Sequence, residues 1–228
     1  MRIAAAMPTF NQLKFIEGAV ASVLPLVDKL VIVNDASTDG TREWLDALDT
    51  EDGKIVIAHH EENCGTAAGG INTGRKLFGD GFDWHTWVSS DNTYPPQWRE
   101  RMLEHVGEGV GAVYSGFGYR VPGRARSYIF EPHAPGKQIK QEACYYGPSF
   151  LIRPDVWDAA GEHAGGSAHD LGHWLRLEEA CEAKGLEIIG VDEDLCNYCA
   201  HDERCVLRRP DLYDAKEQLA LARDRRAQ

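Results

Sequence analysis

The first 115 residues alternate short apolar runs with longer stretches whose apolar residues recur at helical spacing. The apolar runs predict strands over residues 3–7, 29–33, 55–58, 84–88 and 111–115. The stretches between them predict helices over residues 15–24, 41–48, 66–78 and 96–106. A chain that alternates strand and helix builds βαβ units, and such units form a parallel sheet. We therefore expect an α/β fold with a mostly parallel, Rossmann-like sheet flanked by helices.

The second half of the chain is less regular. Residues 116–145 are rich in glycine, proline and arginine and predict a long loop or β-ribbon, which a strand over 149–153 and a helix over 154–160 follow. A glycine-rich loop then leads to an amphipathic helix over 170–184 and a strand over 188–191. Because no repeat or linker divides the chain, we expect a single domain over 1–228. Its parts are a first half over 1–115, a second half over 116–205 and a charged C-terminal helix over 206–228.

The formal net charge of −12 argues against broad nucleic-acid binding, which needs a basic surface. The segment 117–141 is an exception, because it holds five basic residues and one acid. It is either an ordinary solvated loop or a loop that meets an anionic ligand. No apolar run approaches the roughly 20 residues that span a bilayer, and the N-terminal run is too short for a signal peptide. We therefore expect a cytoplasmic protein that is at most peripheral to a membrane.

Six cysteines are present, and four potential zinc ligands lie within ten residues near the end of the chain: Cys196, Cys199, His201 and Cys205. Only one half of this run resembles the spacing of a zinc knuckle. Without a secretory signal, an even number of cysteines does not indicate a disulfide framework. The run is therefore either a set of free thiols or a structural zinc site.

Polar clusters follow three of the predicted strands, at residues 9–11, 34–37 and 89–92. In an open α/β sheet, ligands bind beyond the carboxyl ends of the strands. Each cluster alone could be a turn, because Asn, Asp and Ser cap helices and stabilise turns. Three clusters after three strands favour one shared binding site.

These clusters resemble the motifs of the family 2 glycosyltransferases, and the resemblance runs from residue 3 to about residue 205. MPTFN at 7–11 is similar to the family's PTYN, and VNDASTDGT at 33–41 is similar to VDDGSTDGT. NCG at 63–65 and NTG at 72–74 are similar to its paired N-x-G stretch. SSDN at 89–92 stands where the family has its D-x-D metal motif, and HDLGHW at 169–174 resembles an acceptor-side helix that often begins with ED.

The resemblance implies the GT-A fold, with a nucleotide-sugar half over 1–115 and an acceptor side over 116–205. It implies an inverting transfer of a sugar from a nucleotide diphosphate to an acceptor hydroxyl. The donor-binding residues that it implies are Pro8, Thr9, Phe10, Asn11, Asp35, Ser37, Gly70, Asn72, Ser90 and Asp91. Phe10 can stack on a base, and the Asp35 carboxylate can accept the imide N–H of uracil or thymine. Core packing is the alternative for Phe10, and a turn cap is the alternative for Asp35.

A diphosphate leaves readily only when its growing negative charge is neutralised, and Mn²⁺ or Mg²⁺ does this through hard oxygen ligands. The resemblance implies that Asp91 is the carboxylate ligand and that His201 is a metal or phosphate contact. Ser89 replaces the first Asp of the family motif, which leaves one acid there. Ser90 can still bond a ribose hydroxyl. Asn34 likewise replaces a family carboxylate.

An inverting transfer needs a base that takes the proton of the attacking hydroxyl. Asp170 matches the Asp of the family's acceptor-side pair and is the predicted base, although Asp is also a common helix N-cap. His169 is the alternative base. The predicted acceptor-side residues are Arg120, Arg124, Arg126, His169 and Trp174. The basic segment suggests an anionic acceptor, such as a lipid phosphate, a modified nucleic acid or a glycan.

The sequence also allows two alternative functions, a nucleotidyltransferase and a non-catalytic binding module. A nucleotidyltransferase would need a glycine-rich, basic loop after the first strand, and residues 8–12 do not provide one. A non-catalytic nucleotide-sugar-binding module on a degenerate fold would fit the loss of the acid at Ser89, but Asp91 and Asp170 are retained. The sugar, the base, the acceptor and the oligomeric state are left open.

Overall fold

The structure is a computed structural model that describes residues 1–48, 50–120, 127–129, 146–165 and 169–199. At residues 119, 120, 127–129 and 169 it describes the backbone alone. The strands are β1 (Ile3–Thr9), β2 (Lys29–Asn34), β3 (Ile55–His59), β4 (Trp84–Trp87), β5 (Val110–Arg120), β6 (Ser127–Ile129), β7 (Phe150–Ile152) and β8 (Glu187–Cys199). The helices are α1 (Leu13–Val23), α2 (Thr41–Asp46), α3 (Ala67–Lys76), α4 (Trp98–Leu103), α5 (Pro154–Ala160) and α6 (His169–Lys184).

Within the described residues, the eight strands form one sheet in the order β3-β2-β1-β4-β7-β5-β6, and β8 pairs with the other edge of β5. Strand β1 pairs in parallel with both β2 and β4, and β2 pairs in parallel with β3. Strand β7 runs antiparallel between β4 and β5, while β8 is parallel to β5. The prediction of an α/β fold with a mostly parallel sheet is therefore confirmed.

Both faces of the central strands are buried, because helices cover each side of the sheet. Ile3, Ala5 and Met7 of β1 point into a core that α1 and α4 close. Ala4 and Ala6 point into a second core, which α3, α5 and α6 close. Strands that are buried on both faces read as continuous apolar runs, which explains why β1 and β2 show no alternation of polar and apolar residues.

Helix α3 packs unusually closely on β1, and two of its glycines allow this. A Cβ atom placed on Gly74 would lie 2.7 Å from the Cβ of Ala6, and one on Gly70 would lie 2.8 Å from the Cβ of Pro8. Heavy atoms cannot approach so closely, so a larger residue would push the helix away from the sheet. The small residues of both elements therefore set how closely α3 packs on this face of the sheet.

Some element boundaries differ from those predicted. Strand β8 continues to Cys199 instead of ending at residue 191, because its acidic second half still pairs with β5 across irregular register shifts. Helix α4 begins at Trp98, after Pro95 and Pro96, so the prolines precede the helix. The predicted C-terminal helix lies outside the described residues. In the part of the chain that is described, we find no helix with the length and apolarity that crossing a bilayer requires.

Candidate active site

The carboxyl ends of β2, β1 and β4 lie side by side at one edge of the sheet. Thr9 at the end of β1 is in register with Asn34 at the end of β2, and Ala6 is in register with Trp87 of β4. All three strands are parallel, so the three polar clusters that follow them emerge at the same edge. This is the edge at which open α/β sheets bind ligands.

The loops after β1 and β2 are joined by a set of hydrogen bonds. The amide of Asp35 donates to the carbonyl of Thr9 at 2.8 Å, and the amide of Asn11 donates to Oγ of Ser37 at 2.9 Å. The amide of Thr38 donates to Oδ1 of Asn11 at 2.8 Å. Asn11 has a φ of 52°, in the left-handed region that Asn tolerates better than most residues. The two loops therefore form one hydrogen-bonded rim.

The Asp39 carboxylate continues this rim by capping α1 from the neighbouring loop. Oδ2 of Asp39 accepts the amide of Leu13 at 3.0 Å, and Oδ1 accepts both the amide and the hydroxyl of Thr41. Burial alone would raise the pKa of Asp39, but these hydrogen bonds outweigh burial and lower it. Oγ1 of Thr41 also accepts the amide of Gln12 at 3.1 Å. The start of α1 is thus held by residues of the second strand's loop.

Phe10 projects from this rim, with 45% of its surface exposed. The core-packing alternative for Phe10 is therefore wrong. An exposed aromatic ring beside a polar rim is suited to stack against a flat apolar ligand.

Asp35 is 5% exposed and faces the loop after β3. Its carboxylate accepts the amide of Cys64 at 3.0 and 3.1 Å, and Oδ1 lies 2.7 Å from Nδ1 of His60. Its carbonyl accepts Nδ2 of Asn63 at 2.9 Å. The carboxylate therefore joins two loops. A carboxylate has about four acceptor positions, so capacity remains for a ligand N–H.

Sequence reasoning missed His60 and Cys64 as neighbours of Asp35. The ring of His60 is fixed on its other side, where Nε2 lies 2.9 Å from Oγ1 of Thr73 on α3. Burial and the charge of Asp35 raise the pKa of the Cys64 thiol. The position of Cys64 inside the NCG motif was visible, but nothing in the spacing predicted that its side chain would meet His60.

The SSDN cluster after β4 lies against the end of β8. Ser90 is buried and Asp91 is half-buried, while Oδ1 of the buried Asn92 accepts the amide of Cys199 at 3.0 Å. Thr93 and Asn197 exchange two backbone hydrogen bonds, of 3.2 and 2.8 Å. The long β8 strand therefore reaches the Asp91 loop. His201 lies outside the described residues, so its predicted role stays a prediction.

Helix α3 contributes Gly70 and Asn72, and the structure gives both of them packing contacts. Gly70 faces Pro8, as described above. Oδ1 of Asn72 accepts the amide of His163 at 2.9 Å, and Nδ2 donates to the carbonyl of His163 at 2.9 Å. The His163 ring stacks on His173 of α6, with their centroids 3.8 Å apart. Asn72 thereby joins α3 to the segment that leads into α6.

Helix α6 begins at His169 and carries the half-buried Asp170 in its first turn. The side chains of His169 and Arg120 are not described, and Arg124 and Arg126 lie outside the described residues. Trp174 requires a correction. It is 2% exposed, stacks on Tyr146 at 3.9 Å and meets the edge of Phe150, so it is a core residue with no ring face open to an acceptor.

Comparison with known proteins identifies the family. The sequence model described as "Glycosyl transferase family 2" matches residues 5–165. Undecaprenyl-phosphate mannosyltransferase of Micrococcus luteus is 30% identical over 109 residues, which are 46% of this chain and 44% of that protein. Succinoglycan biosynthesis protein ExoA of Rhizobium meliloti is 31% identical over 102 residues, which are 43% of this chain and 30% of that protein. These matches span less than half of each relative.

Solved structures support the same assignment at the level of the fold. The S. aureus TarS 1-349 complex with UDP-GlcNAc superimposes with a TM-score of 0.75 and 16% identity, and the match covers 97% of this chain and 66% of that one. The mannosyltransferase PcManGT of Pyrobaculum calidifontis, in complex with GDP-Man and Mn²⁺, superimposes with a TM-score of 0.64 and 15% identity, covering 99% of this chain and 64% of that one. The chain belongs to the family 2 glycosyltransferases and has their GT-A fold.

Proposed function

We propose that this chain transfers a sugar, with inversion, from a UDP- or dTDP-sugar to an acceptor hydroxyl. One observation carries the proposal: the exposed Phe10 ring and the buried Asp35 carboxylate lie on one hydrogen-bonded rim, at the sheet edge where Asp91 also emerges. The Phe10 ring suits the face of a nucleotide base, and the Asp35 carboxylate suits its imide edge. The Asp91 carboxylate suits a metal ion bound to the diphosphate of the same nucleotide. The names of the relatives, which include a mannosyltransferase, agree with glycosyl transfer.

The donor base would stack on Phe10 and donate its imide N–H to Asp35. Burial of Asp35 favours this contact, because hydrogen bonds are stronger where water is excluded. The imide of uracil or thymine carries an N–H donor, and the Asp35 carboxylate can accept a hydrogen bond from it. Ser37 and Asn11 use their polar groups to hold the rim, so they act on the donor mainly by positioning Phe10.

The Asp91 carboxylate fits a divalent cation of the Mn²⁺ or Mg²⁺ class, and the adjacent Ser90 is proposed to bond a ribose hydroxyl of the donor. A carboxylate supplies the hard oxygen that such a cation prefers, and Asp91 is half-buried at a strand end rather than sealed in the core. The bound cation would neutralise the charge that develops on the departing diphosphate. His201 is the proposed additional contact, two residues beyond the Cys199 amide that bonds to Asn92. Because the protein offers one carboxylate here, the donor phosphates would supply most of the remaining metal ligands.

Asp170 is the proposed base. It lies in the first turn of a 16-residue helix, and an ionised carboxylate is the form that accepts a proton. Asn72, His163 and His173 connect the donor-side helix α3 to α6 and so set the distance between the donor and this base. Arg120, Arg124, Arg126 and His169 are proposed to meet the acceptor, whose anionic character is inferred from the basic segment 117–141.

The test combines binding and turnover. UDP and dTDP should bind more tightly with Mn²⁺ than with EDTA, and Asp91→Ala should remove most of that difference. The control is Asp80→Ala, which changes an exposed acid in a turn after α3. Asp170→Asn should lower transfer about 10²–10⁴-fold with donor affinity kept within a few-fold, since only the base is lost. Glu179→Gln, on the exposed side of α6, is its matched control.

Three outcomes would contradict the proposal. Full activity in EDTA would exclude the metal-assisted mechanism. Equal loss of affinity in Asp91→Ala with and without Mn²⁺ would exclude Asp91 as a ligand. Turnover close to wild type in Asp170→Asn would exclude the base. A chain that binds nucleotide diphosphates but neither transfers nor hydrolyses a nucleotide-sugar would be the non-catalytic binding module.

A further inference from the structure

A second set of potential metal ligands lies at the base end of the proposed donor site. Within the described residues, Asp35, His60 and Cys64 bring one ligand atom each to within 4.8 Å of one another. Nδ1 of His60 is 2.7 Å from Oδ1 of Asp35 and 3.3 Å from Sγ of Cys64. The imidazole nitrogen therefore lies between an oxygen and a sulfur.

The separations of these atoms suit a tetrahedral zinc ion. Zinc bonds of about 2.0–2.3 Å place neighbouring nitrogen and sulfur ligands about 3.5 Å apart, and nitrogen and oxygen ligands slightly closer. The observed 3.3 Å is close to the first value, and the 2.7 Å contact would need to open by roughly half an ångström. The His60 side chain, which is 19% exposed, would move away from Asp35 to supply this opening. The exposed side chain of Cys64 leaves a path for the ion.

The surroundings of His60 are those of a metal-binding histidine. Nε2 of His60 lies 2.9 Å from the hydroxyl of Thr73, so the ring can donate there and leave Nδ1 unprotonated and facing the cluster. Metal-binding imidazoles commonly have such a partner on the second nitrogen, which fixes both the tautomer and the ring orientation. Helix α3 also limits where the thiol can go, because a Cβ on Gly69 would lie 2.7 Å from Sγ of Cys64.

The chemistry of the cluster differs from that of the Asp91 site. Thiolate and imidazole ligands select zinc over magnesium or manganese, whereas the Asp91 carboxylate offers the hard oxygen that magnesium and manganese prefer. We propose that Asp35, His60 and Cys64 bind one zinc ion, and that zinc in this site excludes the donor base by occupying the Asp35 carboxylate. Binding replaces the thiol proton, so one proton is released for each zinc bound. A water molecule completes the tetrahedron.

The exclusion of the base rests on the proposed function, whereas the zinc site itself does not. Within the described residues, Asp35 is the carboxylate that approaches both His60 and Cys64, and Asn34 replaces the acid beside it. An oxygen that is bound to zinc cannot also accept the imide N–H at full strength. Zinc would therefore inhibit donor binding while Mn²⁺ continues to support it at Asp91.

The site is tested first without any nucleotide, using Co²⁺ as a spectroscopic probe for zinc. The wild-type chain should show the near-ultraviolet charge-transfer band of a cobalt–thiolate bond, and one equivalent of Zn²⁺ should abolish it. Cys64→Ser and His60→Gln should each weaken cobalt binding at least tenfold. The control is the Cys199→Ser, Cys205→Ser double variant, which disrupts the C-terminal cysteine run and should keep the band.

A band that persists in Cys64→Ser but disappears in the control would move the site to the C-terminal run and overturn the proposal. Circular dichroism confirms that each variant is folded, and His60→Gln provides the test if Cys64→Ser is not. The second measurement is UDP affinity in saturating Mn²⁺, which zinc should lower at least tenfold in the wild type and leave unchanged in Cys64→Ser. Zinc binding with no effect on UDP affinity would overturn the exclusion of the base. Failure of UDP to bind even without zinc would instead count against the proposed function.

Discussion

His85 on β4 should make the fold sensitive to mild acid, and replacing it with Phe should remove that sensitivity. The side chain is 7% exposed and packs against Phe78, with ring centroids 4.7 Å apart. Burial and the nearby charge of Arg75 lower the pKa of His85 from 6.5 to about 4, and Asp158 offsets part of this. The folded chain therefore keeps this imidazole neutral where the unfolded chain protonates it.

The sign and size of the effect follow from this difference in pKa. Stability is fully present above the unfolded pKa and falls as the pH drops below it toward the folded value, because the unfolded state binds the extra proton. With the two values above, the contribution of His85 to unfolding free energy falls by about 2 kcal/mol between about pH 7.5 and pH 5. Phe keeps an aromatic ring in the same place and has no proton to bind.

Urea denaturation at about pH 7.5 and about pH 5 measures the change in unfolding free energy between the two pH values. The wild type should lose about 2 kcal/mol more unfolding free energy on acidification than His85→Phe does. A shift of the variant's stability at both pH values does not affect the comparison, because only the difference between them is used. His105→Gln controls for the removal of a histidine elsewhere. Parallel loss of stability in wild type and His85→Phe would refute the reasoning.

Three further changes test the packing around the site. Ala36→Gly should raise the unfolding free energy by about 0.5–1 kcal/mol, because Ala36 holds a φ of 60° that glycine adopts without strain, and an unchanged urea midpoint would contradict this. Asn72→Ala should cost about 1–3 kcal/mol and lower kcat more than donor affinity, since it removes both bonds to His163, and a loss of donor affinity alone would instead indicate direct binding. Gly74→Ala should destabilise the fold by about 1–3 kcal/mol, because its Cβ would meet Ala6. Gly18→Ala, whose Cβ would meet no atom within 4 Å, should be neutral or stabilising. Equal effects of the two changes in thermal melts would exclude the close α3–β1 contact.

The central strands and most helices could be predicted because the local order of apolar and polar residues shows which of their side chains are buried. Strands β1 and β2 are buried on both faces, so their apolar runs stand out, and the polar turns after them fall where the sheet ends. Strand β8 could be predicted only in part. Beyond residue 191 its sequence becomes acidic, and its pairing with β5 depends on a partner far away in the chain. Contacts of that kind carry no local signal.

The candidate site also has a part that the local sequence predicts and a part that depends on the tertiary fold. The clusters at residues 9–11, 34–37 and 89–92 could be placed together because parallel strands end at one edge. The partners of those residues could not, since His60 meets Asp35, and His163 meets Asn72, through the tertiary fold. Trp174 was misplaced for a different reason: it lies in the amphipathic helix predicted over 170–184, but the motif around it pointed to the acceptor. The packing against Tyr146 decides for the core.

The replacement of a family carboxylate by Asn34 has a physical explanation in the hydrogen bonds around it. Oδ1 of Asn34 accepts the amide of Ser37 at 3.2 Å, so Nδ2 faces Nδ1 of His59 at 3.1 Å and donates to it. Nε2 of His59 then donates to Asp46 on α2 at 3.0 Å. A carboxylate at position 34 has no N–H to donate, so the neutral ring that donates to Asp46 would lose its partner at Nδ1. Asn34 and His59 are therefore matched, and of the neighbouring positions 34 and 35 only Asp35 brings a charge to the base end of the proposed donor site.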